Sequence, residues 1–232
     1  MNIEIPLHAK RLERFINDVT VYPVSCERLA NGRSDLQWLE AVLAGGARIV
    51  QLRDKEADDR TLFSKAMAFR RKTEEAGALF IVNNRVDVAL LVGADGVHLG
   101  NSDLPVEEVR RLAPELIIGV SCNSAEQAAT AETRGASYFN IGPLFPTKTK
   151  AGLSAFLGTE AVRIFSARSR LPFTVMGGIK REHIRELTAL GARRLAVVTA
   201  LTRAEDIAAE TRSWVAEIER ESAARAEPEP KR

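Results

Sequence analysis

The run Arg48-Ile-Val-Gln-Leu-Arg-Asp-Lys55 carries polar side chains at alternate positions, Gln51, Arg53 and Lys55. Alternate side chains of an extended strand share a face, so the three point the same way if the chain stays extended through Lys55. If Val50 and Leu52 pack against helices, that shared face opens into a pocket. Two cations converging in a pocket suit a polyanion, and pyrophosphate is the common biological one. The plainer alternative is a solvated Arg/Lys pair answered by Asp54 and Glu56. A second concentration of polar chemistry is Asn140-Ile-Gly-Pro-Leu-Phe-Pro-Thr-Lys-Thr-Lys-Ala-Gly152. Two threonines, two lysines and nearby glycines can wrap and neutralise phosphate. The segment is also long for a strand-to-helix connection, and such loops in compact domains tend to be functional.

Smaller polar groups stand at other candidate strand ends. Phe80-Ile-Val-Asn-Asn-Arg85 ends in Asn83 and Asn84, which either shape a turn or present amides to a ligand. In Ala94-Asp-Gly-Val-His-Leu-Gly-Asn-Ser-Asp103, His98 reads as a satisfied core histidine without a catalytic role. Asp103 either caps a helix starting near Pro105 or holds Mg²⁺, an ion that commonly takes one or two carboxylates together with substrate phosphates.

These residues need a frame. Eight short apolar or β-branched runs predict strands: Thr20–Val24, Arg48–Leu52, Leu79–Asn83, Gly96–Leu99, Ile117–Ser121, Tyr138–Ile141, Phe173–Met176 and Leu195–Val198. Amphipathic segments with helical spacing lie between them, such as Leu36, Leu39, Val42 and Leu43. Several end at a Gly-Ala pair just before the next strand, among them Gly77-Ala78, Gly93-Ala94, Gly135-Ala136 and Gly191-Ala192. Glycine past a helix end is the usual left-handed stop, so the recurrence marks one βα unit each. The 232-residue chain fits one (β/α)₈ barrel, which needs roughly 200–250 residues. An open doubly wound sheet would want GxGxxG after its first strand, and VYPVSCERLANG has none. The expected fold is a single α/β (β/α)₈ TIM barrel over residues 19–222, with a helical extension at 1–18 and a disordered charged tail at 223–232. Barrel chemistry sits at the C-terminal ends of the strands, and phosphate often binds after strands seven and eight. There Val175-Met-Gly-Gly-Ile179 offers the backbone N–H groups of Gly177 and Gly178, and Val197-Val-Thr-Ala-Leu201 leads into another helix.

Composition narrows the classes. Apolar residues at 45% and charged residues at 28% exclude a mostly disordered chain. A net charge of +2 does not suggest a nucleic-acid protein. No apolar stretch approaches the about 18 residues of a membrane span, and no signal peptide is apparent. Cys26 and Cys122, far apart and in no CxxC, exclude a disulfide framework and a cysteine-rich zinc site, and point to a reducing cytoplasm.

In order along the chain stand QLRDK, the strand-end Asn, ADGVHLG with an Asp beyond, GVSC, GPLFPTKTK, GGI and AVVTAL. Together they resemble the thiamine-phosphate synthase family, from about Val19 to about Ile218, with the Phe-Pro-Thr-Lys-Thr-Lys loop the most discriminating part. The resemblance implies a barrel that joins a hydroxymethylpyrimidine diphosphate to a thiazole phosphate, releasing pyrophosphate through a pyrimidine carbocation. It implies that Gln51 contacts the pyrimidine and that Arg53, Lys55, Asn83 and Lys150 hold the diphosphate. Asp103 would bind Mg²⁺, Ser121 would lie beside the reacting diphosphate, and Thr147, Thr149, Gly178 and the backbone near Thr199 would hold the thiazole phosphate. Partners would be these small molecules, with no nucleic acid or membrane, and oligomeric state left open.

The chain departs from the family pattern at four places. Asn84 stands where an Asp metal ligand is usual, offering a carbonyl oxygen without charge. Gly100-Asn-Ser-Asp103 replaces Gly-Gln-Glu-Asp, Asn140 stands where the family has glycine, and Thr199 replaces a common Ser. Mg²⁺ binding at Asp103 and Asn84 weaker than the family norm, or help from another carboxylate, is therefore expected. Three alternatives stay open: a thiazole tautomerase on the same barrel; a non-catalytic binder of thiamine phosphate or its precursors, which differs in class; and a generic phosphate-binding barrel enzyme of indole or sugar metabolism, against which the Pro-Thr-Lys-Thr-Lys loop counts. The tautomerase needs a histidine after the fifth strand, where this chain has Asn123, which cannot transfer protons at neutral pH.

Overall fold

The computed structural model describes residues 5–147 and 156–225. Eight strands are present: β1 Val21–Pro23, β2 Ile49–Leu52, β3 Leu79–Asn83, β4 Gly96–Leu99, β5 Ile117–Cys122, β6 Tyr138–Ile141, β7 Phe173–Met176 and β8 Leu195–Val197. They coincide with the eight apolar runs to within one residue at either end. All pair in parallel, in the order β1-β8-β7-β6-β5-β4-β3-β2. A parallel bridge between Val24 and Gln51 joins the two ends, with Ser25 N–H donating to the Gln51 carbonyl at 2.9 Å. The sheet is thus a (β/α)₈ barrel, as the βα alternation predicts.

Helices α1 Leu7–Asp18, α2 Asp35–Ala44, α3 Asp59–Glu75, α4 Val86–Leu91 and α5 Val106–Leu112 accompany the first half. Helices α6 Ala125–Ala131, α7 Glu160–Ser166, α8 Ile184–Ala189, α9 Thr199–Thr202 and α10 Ile207–Ala223 accompany the second. Their starts follow local chemistry: Ser34, Asp58, Ser124 and Asp206 each accept a backbone N–H three residues on, as N-caps do. Their stops do too. Gly77 and Gly93 have φ of 62° and 64°, a conformation that costs a residue with a Cβ roughly 1–2 kcal/mol.

Two apolar layers result. Outward strand residues such as Val50, Leu52, Val82 and Val97 pack beneath the helices with Trp38 and Phe69. Inward residues such as Tyr22, Ile49, Ile81, Ile117 and Tyr138 fill the barrel itself. Helix α1 lies across the N-terminal end of the strands. Its Phe15 is fully buried and stacks on Tyr138 at 4.4 Å. Arg194, just before β8, donates Nε–H to the Phe15 carbonyl at 2.8 Å. Arg11 pairs with Asp95 before β4, and His8 bonds Ser137 before β6. At the other end of the chain α10 closes at Ala223, and residues 226–232 of the charged tail lie outside the described residues. Among the described residues, no helix is long and apolar enough to cross a membrane.

Candidate active site

The open end of the barrel gathers the polar strand ends. Gln51 is buried on the inner face of β2, between outward Val50 and Leu52. Arg53 is half-buried just beyond it, and Lys55 is exposed. Asp54, between them, accepts the backbone N–H groups of Glu56 and Ala57, both at 3.0 Å, and the ammonium of Lys65 on α3 at 2.7 Å. So Asp54 anchors the loop rather than answering its two cations. Glu56 pairs with Arg28. Among the described residues, neither Arg53 nor Lys55 has an ion-pair partner, unlike Arg11, Lys65, Arg70 and Arg85.

Lys65 also bonds Asp35 at 3.0 Å and Glu27. Burial pushes the Asp35 carboxyl up to about 6 against the pull of Lys65. These three carboxylates are, among the described residues, the group of His, Cys, Asp or Glu side chains close enough to share an ion. The ammonium already occupies their centre, so they serve to hold the β1 and β2 exits together.

Beneath the mouth runs a continuous polar chain. Asn83, at the end of β3, donates Nδ2–H to Gln51 Oε1 at 2.9 Å. Gln51 Nε2 donates to the Tyr22 hydroxyl at 2.9 Å, and Tyr22 and Tyr138 share a hydrogen bond at 3.0 Å. Tyr138 meets His98 Nδ1 at 3.1 Å, and His98 Nε2 meets Ser121 Oγ at 3.1 Å. Burial drives the His98 imidazole down to about 4, so it is neutral at pH 7. Burial likewise raises both phenols, which stay protonated. Ser121 is half-buried at the end of β5, where the chain surfaces.

Asp103 and Asn84 meet at the β3 and β4 exits. Asn84 Nδ2 donates to Asp103 Oδ1 at 2.9 Å, and Gly100 N–H donates to Asp103 Oδ2 at 2.6 Å. Helix α5 has Pro105 at its N-cap and no side-chain cap, so Asp103 is not capping it. The two residues expected to hold Mg²⁺ thus share one loop corner, with the Asn84 amide nitrogen rather than its oxygen against the carboxylate.

The far-side residues expected to hold phosphate divide. Thr147 is half-buried, while Thr149 and Lys150 lie outside the described residues. The flanks of that loop are pinned together: Leu157 N–H donates to the Pro143 carbonyl at 2.9 Å and Gly158 N–H to that of Leu144 at 3.0 Å. The near flank also docks on the β7 exit, with Leu144 N–H bonded to Met176 O and Phe145 N–H to Gly177 O, both at 2.9 Å. The Phe145 ring stacks on His183 at 3.9 Å. Gly178 has φ 66°, and a Cβ there would stand 2.5 Å from the Pro146 carbonyl oxygen. Glycine is thus needed there for close approach of the loop. Thr199 opens α9 next to this corner, because β8 pairs with β7.

Two residues that frame the site went unassigned from sequence, Tyr22 and Tyr138, while His98, expected to be a satisfied core histidine, is buried with both ring nitrogens bonded. Period-two alternation places Tyr22 inward in Val-Tyr-Pro, but nothing in the sequence says that it meets Tyr138, 116 residues away. Asn140 also faces inward, with its Oδ1 taken by Thr174 at 2.8 Å. Asn123 spans three loops: it accepts from Asn101 at 2.8 Å and donates to the Gly142 carbonyl at 2.6 Å.

Comparison with known proteins identifies the family and the fold. Residues 21–201, from β1 through β8, match the thiamine monophosphate synthase family model. The thiamine-phosphate synthase of Pelotomaculum thermopropionicum is 40% identical over 204 residues, 88% of this chain and 94% of the relative. That of Shouchella clausii is 38% identical over 203 residues, 87% of this chain and 97% of the relative. The solved thiamine phosphate pyrophosphorylase of Pyrococcus furiosus superposes with a TM-score of 0.82 at 35% identity, covering 89% of this chain and 98% of its own. With all eight strands inside the matched region, the chain belongs to the thiamine monophosphate synthase family of transferases.

Proposed function

We propose that the chain joins 4-amino-5-hydroxymethyl-2-methylpyrimidine diphosphate to 4-methyl-5-(2-hydroxyethyl)thiazole phosphate, yielding thiamine phosphate and pyrophosphate. The observation that carries this reading is the pair of cations, Arg53 and Lys55, that have no carboxylate partner among the described residues, at the barrel mouth beside Gln51 and Asn83. In this reading Arg53 and Lys55 bind the diphosphate, joined by Lys150 and Asn83, with Ser121 at the opposite wall. The exocyclic methylene C–O bond breaks with its electron pair leaving on pyrophosphate. The thiazole nitrogen then supplies its lone pair to the carbocation, forming the C–N bond. Charge neutralisation on the leaving group is what lowers the barrier, and no general base is required. Thr147, Thr149, Gly178 and the Thr199 backbone hold the thiazole phosphate, so both partners share one mouth and react as a positioned pair. Asp103 and Asn84 would hold Mg²⁺, which when bound adds positive charge beside the departing phosphates. The substrates are small molecules, and this reading puts the protein in the cytoplasm.

The test is direct. Purified protein receives both substrates with and without Mg²⁺, and thiamine phosphate is oxidised to fluorescent thiochrome. Metal-dependent product establishes the synthase. Tight binding of either substrate without product would replace this reading with that of a non-catalytic binder.

A further inference from the structure

We propose that His98 is a positioning residue. It terminates a one-directional hydrogen-bond chain and donates to the Ser121 oxygen, which turns the Ser121 hydroxyl hydrogen outward onto a diphosphate oxygen in the mouth. The proposal rests on the diphosphate reading of that mouth.

The direction of the chain is set at its far end. Asn83 donates to the oxygen of Gln51, so the Gln51 amide nitrogen faces Tyr22 and donates to it. The Tyr22 oxygen is then an acceptor, and its own hydrogen goes to Tyr138, the remaining partner at 3.0 Å. Tyr138 accepts that hydrogen and passes its own to His98 Nδ1. A neutral imidazole that accepts at Nδ1 carries its proton on Nε2, and that proton lies 3.1 Å from Ser121 Oγ. The Ser121 oxygen is therefore occupied from below, and its hydrogen is left for the mouth. Reverse polarity would turn that hydrogen inward and aim lone pairs at an anion. The surroundings keep the chain single-filed: Tyr22, Tyr138 and His98 are all buried, at 1%, 0% and 8% exposure, so bulk water offers no substitute partner. Gly119, paired with His98 and followed closely by Ser121, has no side chain, and a Cβ there would overlap the Tyr138 ring. The close approach of Tyr138 to this part of β5 thus depends on a glycine.

The experiment uses the full chain and has two independent readouts. The first is the imidazole ¹⁵N spectrum of the wild type, which distinguishes the two neutral tautomers without any turnover. Nε2–H is expected; Nδ1–H overturns the proposal. The second is steady-state kinetics of His98→Leu, His98→Gln, Ser121→Ala and the double variant H98L/S121A. Losing an oriented donor to a charged group costs about tenfold or more, here in kcat for H98L. The Gln variant, whose amide can accept from Tyr138 and donate to Ser121, should recover most of that rate. The double variant should be no slower than S121A alone, because His98 acts through Ser121. Multiplicative effects of the two single variants overturn the proposal. If the wild type forms no thiamine phosphate at all, the functional reading fails, and the tautomer measurement still decides the direction of the chain.

Discussion

Asn84 adopts a left-handed backbone, φ 65°, and turns its amide nitrogen to Asp103. Asn and Asp are the side chains that enter this region most readily, so an aspartate fits the same backbone. Asn84→Asp would replace a hydrogen bond by two carboxylates facing each other at the present 2.9 Å. In the presence of a chelator the variant should lose about 1–2 kcal/mol of stability, seen as a lower Tm. Mg²⁺ should restore that stability by bridging the pair, while the wild type changes little. The Mg²⁺ concentration for half-maximal synthase activity should fall as well. An unchanged activation curve together with an unchanged Tm would overturn the proposed Mg²⁺ role of Asn84 and Asp103. Cys122 behaves differently from these mouth residues. Burial pushes its thiol up to about 11, so it is a packing residue without nucleophilic character.

At the scale of elements, the connections between strand ends and helices do the positioning. Lys65 reaches from α3 to Glu27, Asp35 and Asp54, tying the β1 exit, the start of α2 and the β2 exit. Lys65→Met would leave three carboxylates within 4.8 Å of one another, at a cost of about 3 kcal/mol at neutral pH. The pH dependence has a definite sign. The folded chain already binds a proton at Asp35 more tightly than an unfolded aspartate, so that group's contribution falls as pH rises from about 4 to about 6. Asp54 runs the other way. Burial opposes its charge, but the bonds from Lys65 and two backbone N–H groups hold its pKa below the ordinary value, and its contribution is lost in acid. Without the ammonium the first effect grows and the second vanishes, so the Tm deficit of the variant should be larger at pH 7.5 than at pH 5. Equal deficits would mean that Lys65 contributes packing alone. On the opposite wall, Gly178→Ala introduces a Cβ 2.5 Å from the Pro146 carbonyl at φ 66°. It should cost at least about 1–2 kcal/mol from the backbone alone. It should also raise KM for the thiazole phosphate more than for the pyrimidine diphosphate. Equal changes in both would separate the β6 loop from the thiazole side.

These elements also show what could be read beforehand. The strands were legible because each is a short apolar or β-branched run bounded by helical spacing, and the Gly-Ala stops sit at residues such as Gly77 and Gly93, whose φ is positive. The inward face of β2 was legible from alternation, which correctly put Gln51 opposite Val50 and Leu52. The Tyr22–Tyr138–His98 chain was not, because its links run between β1, β6 and β4, and only closure of the barrel brings those strands together. The Asp103 corner stayed ambiguous for a related reason: a helix cap and a loop clasp use the same residue type, and the choice depends on where Gly100 and Asn84 come to rest.

Across the whole molecule, the barrel separates its two ends. Chemistry-bearing residues gather at the C-terminal ends of the strands, and α1 seals the other end. Asp95 is the hub of that seal, taking Arg11 at 3.2 Å, Arg70 at 2.8 Å and the Phe80 N–H at 2.9 Å. Phe15 is its apolar core, buried against Tyr138 and under the Arg194 guanidinium, 5.1 Å above its ring. Phe15→Ala should therefore cost about 3–5 kcal/mol, the range for deleting a fully buried aromatic ring. Arg14→Ala, by contrast, removes a bond from an exposed side chain to the Gly77 carbonyl and should stay within about 0.5 kcal/mol. Neither change removes a partner of the Tyr138 hydroxyl, which bonds Tyr22 and His98. Measured well below the Tm of either variant, kcat/KM for both substrates should then stay within about twofold of wild type. A rate that falls with stability in Phe15→Ala but not in Arg14→Ala would show the opposite: that the floor of the barrel sets the position of Tyr138, and through it the mouth. Thermal unfolding and kinetics on the same two variants distinguish these outcomes, because the division of labour between the ends predicts a large change in the first and almost none in the second.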